Sequence, residues 1–209
     1  MRRTAVAIVM FALSAAAATH AAEQGRNLPA FIAINAKGAF EMTVEVGKTQ
    51  SVTISGDQRF VAALRTEVVD RELQVILPDK SFKASHGEPR VTITLPSLSR
   101  VKVEGAGETL LNHVDSERLD ISYQGAGHLA ASGKVKYLRL NAKGVGEVDT
   151  RKLTAERVDV NFEGVGDVSV YASELLNAIA KGIGELTYYG HPKTVNKSVA
   201  GIGSVQAGD

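Results

Sequence analysis

Six Gly-x-Gly tripeptides recur through the second half of the chain: Gly105-Ala106-Gly107, Gly125-Ala126-Gly127, Gly144-Val145-Gly146, Gly164-Val165-Gly166, Gly182-Ile183-Gly184 and Gly201-Ile202-Gly203. Their first glycines lie 20, 19, 20, 18 and 19 residues apart. A fixed period of about 20 residues means that one structural unit is stacked repeatedly.

Aligned on the first glycine, the preceding residues alternate strictly. Leu119, Ile121 and Tyr123 are followed one period later by Leu138, Leu140 and Ala142, then by Val158, Val160 and Phe162, then by Leu176, Ala178 and Ala180. Between them stand Asp120, Ser122, Arg139, Asn141, Asp159 and Asn161. Alternation with period two marks a half-buried strand, and no repeat carries the i, i+3, i+4 spacing of an amphipathic helix. A second short strand follows each corner, with Val148, Val168, Leu186 and Val205 facing inward, and Val114, Val135 or Leu153 lies in a third side.

The expected fold is therefore all-β: about six C-terminal coils of 18–20 residues over 101–207, stacked in parallel at ~4.8 Å with glycines at superposed corners. Glycine suits such a corner because it tolerates positive φ and lets neighbouring backbones approach. The apolar middle residues Ala106, Ala126, Val145, Val165, Ile183 and Ile202 are expected to form an internal stack. Residues 31–100 read as an N-terminal cap with strands over 31–35, 40–46, 50–55, 73–77 and 90–95, and with one short helix between Asp57 and Arg65 carrying Phe60, Val61 and Leu64 on its apolar face. There, Asn35-Ala36-Lys37-Gly38-Ala39-Phe40 echoes Asn141-Ala142-Lys143-Gly144-Val145-Gly146 and reads as a degenerate first coil. The whole of 31–207 is one domain, preceded by a short lead over 23–30. The C-terminal strand edge is expected to be open.

Residues 1–22 have the form of a secretory signal peptide: Arg2 and Arg3 precede an apolar stretch, Ala5 to Ala18, and small residues surround Ala21, after which cleavage is expected. The apolar stretch is shorter than the ~20 residues that span a bilayer, and no later segment replaces it. The mature chain is thus expected to be exported, to the periplasm or the cell surface, without a membrane span. Without the leader it carries 22 basic and 23 acidic residues, a net charge of −1, which gives no footprint for nucleic acid. The absence of cysteine excludes disulfides, thiolate metal sites and a cysteine nucleophile.

Three residues after each first glycine stands an outward column, Glu108, His128, Glu147, Asp167, Glu185 and Ser204. Stacking would bring its carboxylates within ~5 Å of one another, where they could recruit a divalent cation or a basic partner. The competing reading is a solvated edge with local pairs such as Lys143 with Glu147 and Lys181 with Glu185. A polysaccharide-cleaving site would need converging acid and base groups. Aspartates 70, 79, 115, 120, 149, 159 and 167 are scattered, and His86, His113, His128 and His191 share no motif. Nor do the glycines build a dinucleotide loop, which needs Gly-x-Gly-x-x-Gly and a following helix. Calcium-binding nonapeptide repeats recur every nine residues, unlike these. The expectation is a protein that is not an enzyme and uses no cofactor.

The segment Pro96-Ser97-Leu98 leading into Val101-Lys102-Val103-Glu104-Gly105-Ala106-Gly107, with the later Gly-x-Gly corners, resembles the putative auto-transporter adhesin, head GIN domain family over residues 28–207. The resemblance implies an exported, right-handed, pectin-lyase-like parallel β-helix with a role in adhesion, and brings no catalytic residues. Here Ala, Val and Ile stand between the glycines where serine is often found in the family. The expected partner is a glycan, an envelope component or a surface protein held on a flat sheet face; Tyr123, Tyr137, Tyr171, Tyr188 and Tyr189 are candidates for stacking on sugar, against the favoured reading that some of them are buried or pack on neighbouring coils, Tyr123 standing in an inward column. The alternative is self-assembly into a homo-oligomer through the C-terminal edge.

Overall fold

The computed structural model describes residues 22–78 and 89–209. The expected signal peptide, Ala22 excepted, lies outside the described residues, as do Asp79 and His86. Among the described residues the fold is all-β with one short helix. Its strands are β1 (Ala22–Gly25), β2 (Ala33–Ala39), β3 (Glu41–Val46), β4 (Ser51–Gly56), β5 (Arg65–Val69), β6 (Glu72–Ile76), β7 (Arg90–Leu95), a 90-residue run of extended chain β8 (Arg100–Tyr189), and β9 (Thr194–Ala207). The hydrogen-bonded order is β1-β4-β7-β3-β8-β2-β6-β5, with β9 added to β8.

The period of the sequence reappears as register. β9 runs parallel to the last part of β8 with Leu176 beside Val195, Gly182 beside Gly201, Gly184 beside Gly203 and Leu186 beside Val205. At the other end β2 is parallel to the start of β8, with Gly38 beside Gly105 and Ala39 beside Ala106. The echo at Asn35 to Phe40 is thus a true first member of the series, in which Phe40 stands where the second glycine would be. Among the described residues, antiparallel pairing is confined to β1–β4, β4–β7 and β5–β6.

Two of these strands are absent from the sequence reading. β1 converts part of the 23–30 lead into a strand along β4. β5 forms a tight hairpin with β6 through Asp70 and Arg71, both at positive φ (51° and 61°). Between β4 and β5, the helix α1 (Gln58–Ala63) begins where expected, with Asp57 Oδ1 accepting from the Phe60 amide at 2.7 Å. Such a cap satisfies one of the free N–H groups of the first turn. At the far end Arg26 Nη2 donates to the carbonyl of Val61 at 3.0 Å, so the lead also ties down the helix C-terminus.

All the predicted inward columns are buried, from Leu119, Ile121 and Tyr123 through Leu176, Ala178 and Ala180. The middle residues of the Gly-x-Gly units are not. Val145, Val165, Ile183 and Ile202 are 57%, 46%, 52% and 77% exposed, which corrects the expected internal stack. The reason is parity. Alternation continues unbroken through the corner, with Leu140, Ala142, Val148 and Thr150 all buried, so Gly144 and Gly146 occupy the inward positions and Val145 must point out.

The glycine columns also set the spacing of neighbouring repeats. A Cβ placed on Gly125 would lie 1.7 Å from the Gly105 carbonyl oxygen, and one on Gly184 1.8 Å from that of Gly166. Room beneath the corners is filled from the adjacent inward column, which reads Ala36, Val103, Tyr123, Ala142, Phe162, Ala180 down the chain. Small residues flank each aromatic ring, so that layers interdigitate. Tyr123 Oη is buried with no hydrogen-bond partner among the described residues, and burial raises its pKa. Tyr123→Phe is accordingly expected to stabilise the protein by about 1 kcal/mol, read from urea unfolding midpoints, because it removes an unsatisfied polar group and keeps the ring. A destabilised variant would show that the hydroxyl is satisfied in solution.

Candidate functional site

The outward column lies where expected, on the rim of the corner, with Glu108, Glu147 and Asp167 exposed and His128 and Glu185 partly so. Its members engage one another in pairs. His128 Nδ1 stands 3.4 Å from Glu147 Oε2, and the Glu185 amide donates to Asp167 Oδ1 at 3.3 Å. Glu185 Oε1 also accepts from Thr187 Oγ1 at 2.9 Å and from Gln206. Among the described residues, no group of three or more His, Asp or Glu side chains is placed to hold a metal ion. Lys143 pairs with Glu163 at 3.1 Å and not with the expected Glu147. Both stand one position before their first glycine, so they are neighbours across a single ~4.8 Å step, closer than two positions on opposite flanks of a corner.

On the face preceding the corners, the polar side chains form a ladder that satisfies itself. Arg118 grips Asp120 through Nε and Nη2 at 2.9–3.2 Å and lies 5.0 Å over the Tyr137 ring. Tyr137 donates to Asp159, which accepts Asn177 Nδ2 at 2.7 Å, and Asn177 in turn accepts from Asn196 at 2.9 Å. The bond to Asp159, helped by burial, holds the Tyr137 phenol above its ordinary range. A ligand on this face would have to displace these bonds.

The face following the corners differs at its C-terminal end. Seven positions after the first glycine come Arg151, Tyr171, Tyr189 and Gly208, so both tyrosines share an outward column with a cation. Each ring leans over the next row where a glycine leaves room. A Cβ on Gly190 would lie 2.8 Å from Tyr171 Cε1 and Cζ, and one on Gly208 2.3 Å from Tyr189 Cε1. Arg151 reaches the Tyr189 ring at 5.9 Å from its centroid and binds Asp149 through Nη2 at 2.6 Å. The guanidinium hydrogen bonds hold the Asp149 carboxyl below its ordinary value and raise the Arg151 pKa. Partly exposed aromatic rings beside a guanidinium–carboxylate pair can stack on an apolar ring face while the pair bonds its polar edge. Sequence reading singles out both tyrosines, counts Asp149 only among scattered aspartates and passes over Arg151; extending the period seven places past each glycine exposes the alignment of Arg151 with the tyrosines. Of the other tyrosine candidates, Tyr123 is buried, Tyr137 is tied into the ladder, and Tyr188 packs against the core.

The histidines lie apart. His113 Nδ1 meets Glu45 Oε2 at 3.1 Å, His128 meets Glu147, and His191 sits at positive φ (49°) between β8 and β9. A shallow open groove of about 360 Å³ is bordered by Glu41, Thr43, Arg90, Thr92, Glu108 and Leu110, with Arg90 and Glu41 bound to each other at 2.9 Å.

The model of the putative auto-transporter adhesin, head GIN domain family matches residues 30–192. The chain belongs to this family. A solved structure similar to this head GIN domain is that of a putative adhesin from Bacteroides fragilis, with 24% identity, a TM-score of 0.72, and coverage of 91% of this chain and 98% of that one. At lower similarity stand a putative lipid binding protein from Parabacteroides distasonis (18% identity, TM-score 0.48, 90% and 97% covered) and a putative adhesin from Parabacteroides merdae (16%, 0.48, 90% and 96%). Among curated proteins, none matches the chain. In the head GIN domain, no helix among the described residues is long and apolar enough to cross a membrane.

Proposed function

We propose that this head GIN domain is an exported, non-catalytic β-solenoid that serves as an adhesin or envelope-component binding module, holding an extended glycan on the Tyr171–Tyr189 face. The parallel register and the superposed glycines support a parallel β-helix, and parallel crossovers are right-handed almost without exception. Family membership supports adhesion, and the form of residues 1–22 supports export to the periplasm or cell surface. The observation that carries the glycan reading is the pair of tyrosine rings on successive rows, flanked by the Arg151–Asp149 pair. Successive rows are ~4.8 Å apart, close to the length of one pyranose residue, so a chain of sugars running along the stack would offer one apolar ring face to each tyrosine.

The test is binding of the purified protein to a broad panel of glycans and cell-envelope fractions, with calcium and with chelator. Saturable binding is expected, weakened about tenfold by Tyr171→Ala or Tyr189→Ala and unchanged by chelation. Charge reversal at Glu147 and Asp167 should leave it intact; loss of binding there would move the site to the acidic column. Absence of saturable binding under every condition would overturn the reading. The alternative, self-assembly through the C-terminal strand edge, has one observation in its favour: among the described residues β9 pairs with β8 alone.

A further inference from the structure

Four branched aliphatic side chains, Val145, Val165, Ile183 and Ile202, stand one above another on the outermost line of the corner, each about half exposed or more. Rows at ~4.8 Å make this a ridge about 14 Å long. On each side runs a trough without side chains, Gly144, Gly164, Gly182 and Gly201 on one flank and Gly146, Gly166, Gly184 and Gly203 on the other. Beyond the first trough stand Lys143, Glu163 and Lys181; beyond the second stand Glu147, Asp167 and Glu185. Exposed aliphatic residues stacked in line, bordered by charges, are the form of an association surface.

We propose that this ridge joins two copies of the chain side by side, with their stacks parallel, about a two-fold axis running along them. Ridge and trough are complementary in shape, so each copy can lay its aliphatic line in the other's glycine trough. Charge then selects both the partner and the orientation. A two-fold axis along the stack exchanges the two flanks at the same level, which sets Lys143 of one copy opposite Glu147 of the other, and Lys181 opposite Glu185. An axis across the stack would face lysine row with lysine row and acid row with acid row. The one like-signed level is Glu163 with Asp167; Lys143, 3.1 Å from Glu163 in its own chain, stands between that acid and Glu147 of the other copy and so offsets part of the charge of each. An anionic bilayer suits the surface less well, since the acid row would lie against the headgroups. A ridge of this length covers a few hundred Å² per partner, at the low end for specific interfaces, so the pair is a weak and reversible one. This inference is independent of the glycan reading.

Sedimentation velocity on the purified protein, from about one micromolar to several hundred micromolar, should show a reversible monomer–dimer equilibrium. Val165→Thr with Ile183→Thr keeps the β-branched shape and removes apolar surface, and is expected to weaken the dimer at least about tenfold at unchanged melting temperature. Lys181→Glu alone should weaken it, and Lys181→Glu with Glu185→Lys should restore it, because the exchanged pair is regenerated across the axis. Orientation is read from Ile202→Cys in a chain that otherwise lacks cysteine: parallel ridges bring the introduced thiol to its own counterpart and give a disulfide-linked dimer on oxidation. A monomer at every concentration, or a dimer indifferent to the threonine and charge variants, would overturn the proposal. Failure of Ile202→Cys to cross-link would overturn the parallel arrangement.

Discussion

Gly164→Ala is expected to cost on the order of 4 kcal/mol of stability, enough to unfold much of the protein at moderate temperature. The added Cβ would sit 2.0 Å from the Gly144 carbonyl oxygen and 2.9 Å from its carbon and nitrogen, and φ is +150°, a region that alanine adopts only under strain. The obstructing atoms are backbone and cannot turn aside as a side-chain tip would. Relief would require separating two repeats that are joined by parallel ladder hydrogen bonds. Gly25→Ala supplies the control, since a Cβ there meets nothing within 4 Å, and its change should stay within about 0.5 kcal/mol. Urea unfolding of both variants gives the comparison. Equal, small losses would mean that the repeats are not in contact at Gly164.

Most of what makes these glycines indispensable is legible in the sequence, because the same local pattern recurs six times. Alternation identified the buried columns correctly, from Leu119 to Ala180. It was misapplied only at the corner, where apolar Val145 and Ile183 were read as interior by composition although parity with Ala142 and Val148 places them outside. The short elements were harder. β5 and β1 owe their existence to pairing with β6 and β4, a non-local cause that no window of residues displays. Of the proposed binding face, the tyrosines are visible in the sequence as residue types. Their convergence with Arg151 depends on column position, and the leaning of their rings depends on Gly190 and Gly208 in the following row.

The second large effect concerns the terminal repeat. Lys197 pairs in register with Ala178 and thus continues the inward column Ile34, Val101, Ile121, Leu140, Val160 and Ala178, all nearly fully buried. Its ammonium group turns back to donate to the Val205 carbonyl at 3.2 Å, across the end of the core. A charged residue aimed inward at a sheet edge is one of the devices by which natural proteins keep edges from pairing with other chains. Removing the charge should therefore release association that the native chain resists. Lys197→Leu, made in the Val165→Thr, Ile183→Thr background so that the lateral surface is silent, is expected to form end-to-end dimers or larger species at concentrations where the parent is monomeric. Light scattering distinguishes the two. If Lys197→Leu remains monomeric while fully folded, the lysine has no protective role and the edge is inert for another reason.

At the opposite end, Phe40 occupies the position of a second glycine, and its backbone lies behind Gly107 as that of Gly107 lies behind Gly127. Gly107 rests on Phe40, and from Gly125 onward each glycine of the Gly-x-Gly series rests on a glycine of the row before. Excision of one complete unit, for example the 20 residues from Gly144 through Glu163, would place Gly164 over Gly125 and leave the contact unchanged in kind. The domain is in this sense a ruler graduated in ~4.8 Å divisions, whose length can be altered by whole divisions without redesigning either end. The number of repeats, more than any one residue, then sets how far from its N-terminal cap the protein carries the tyrosines.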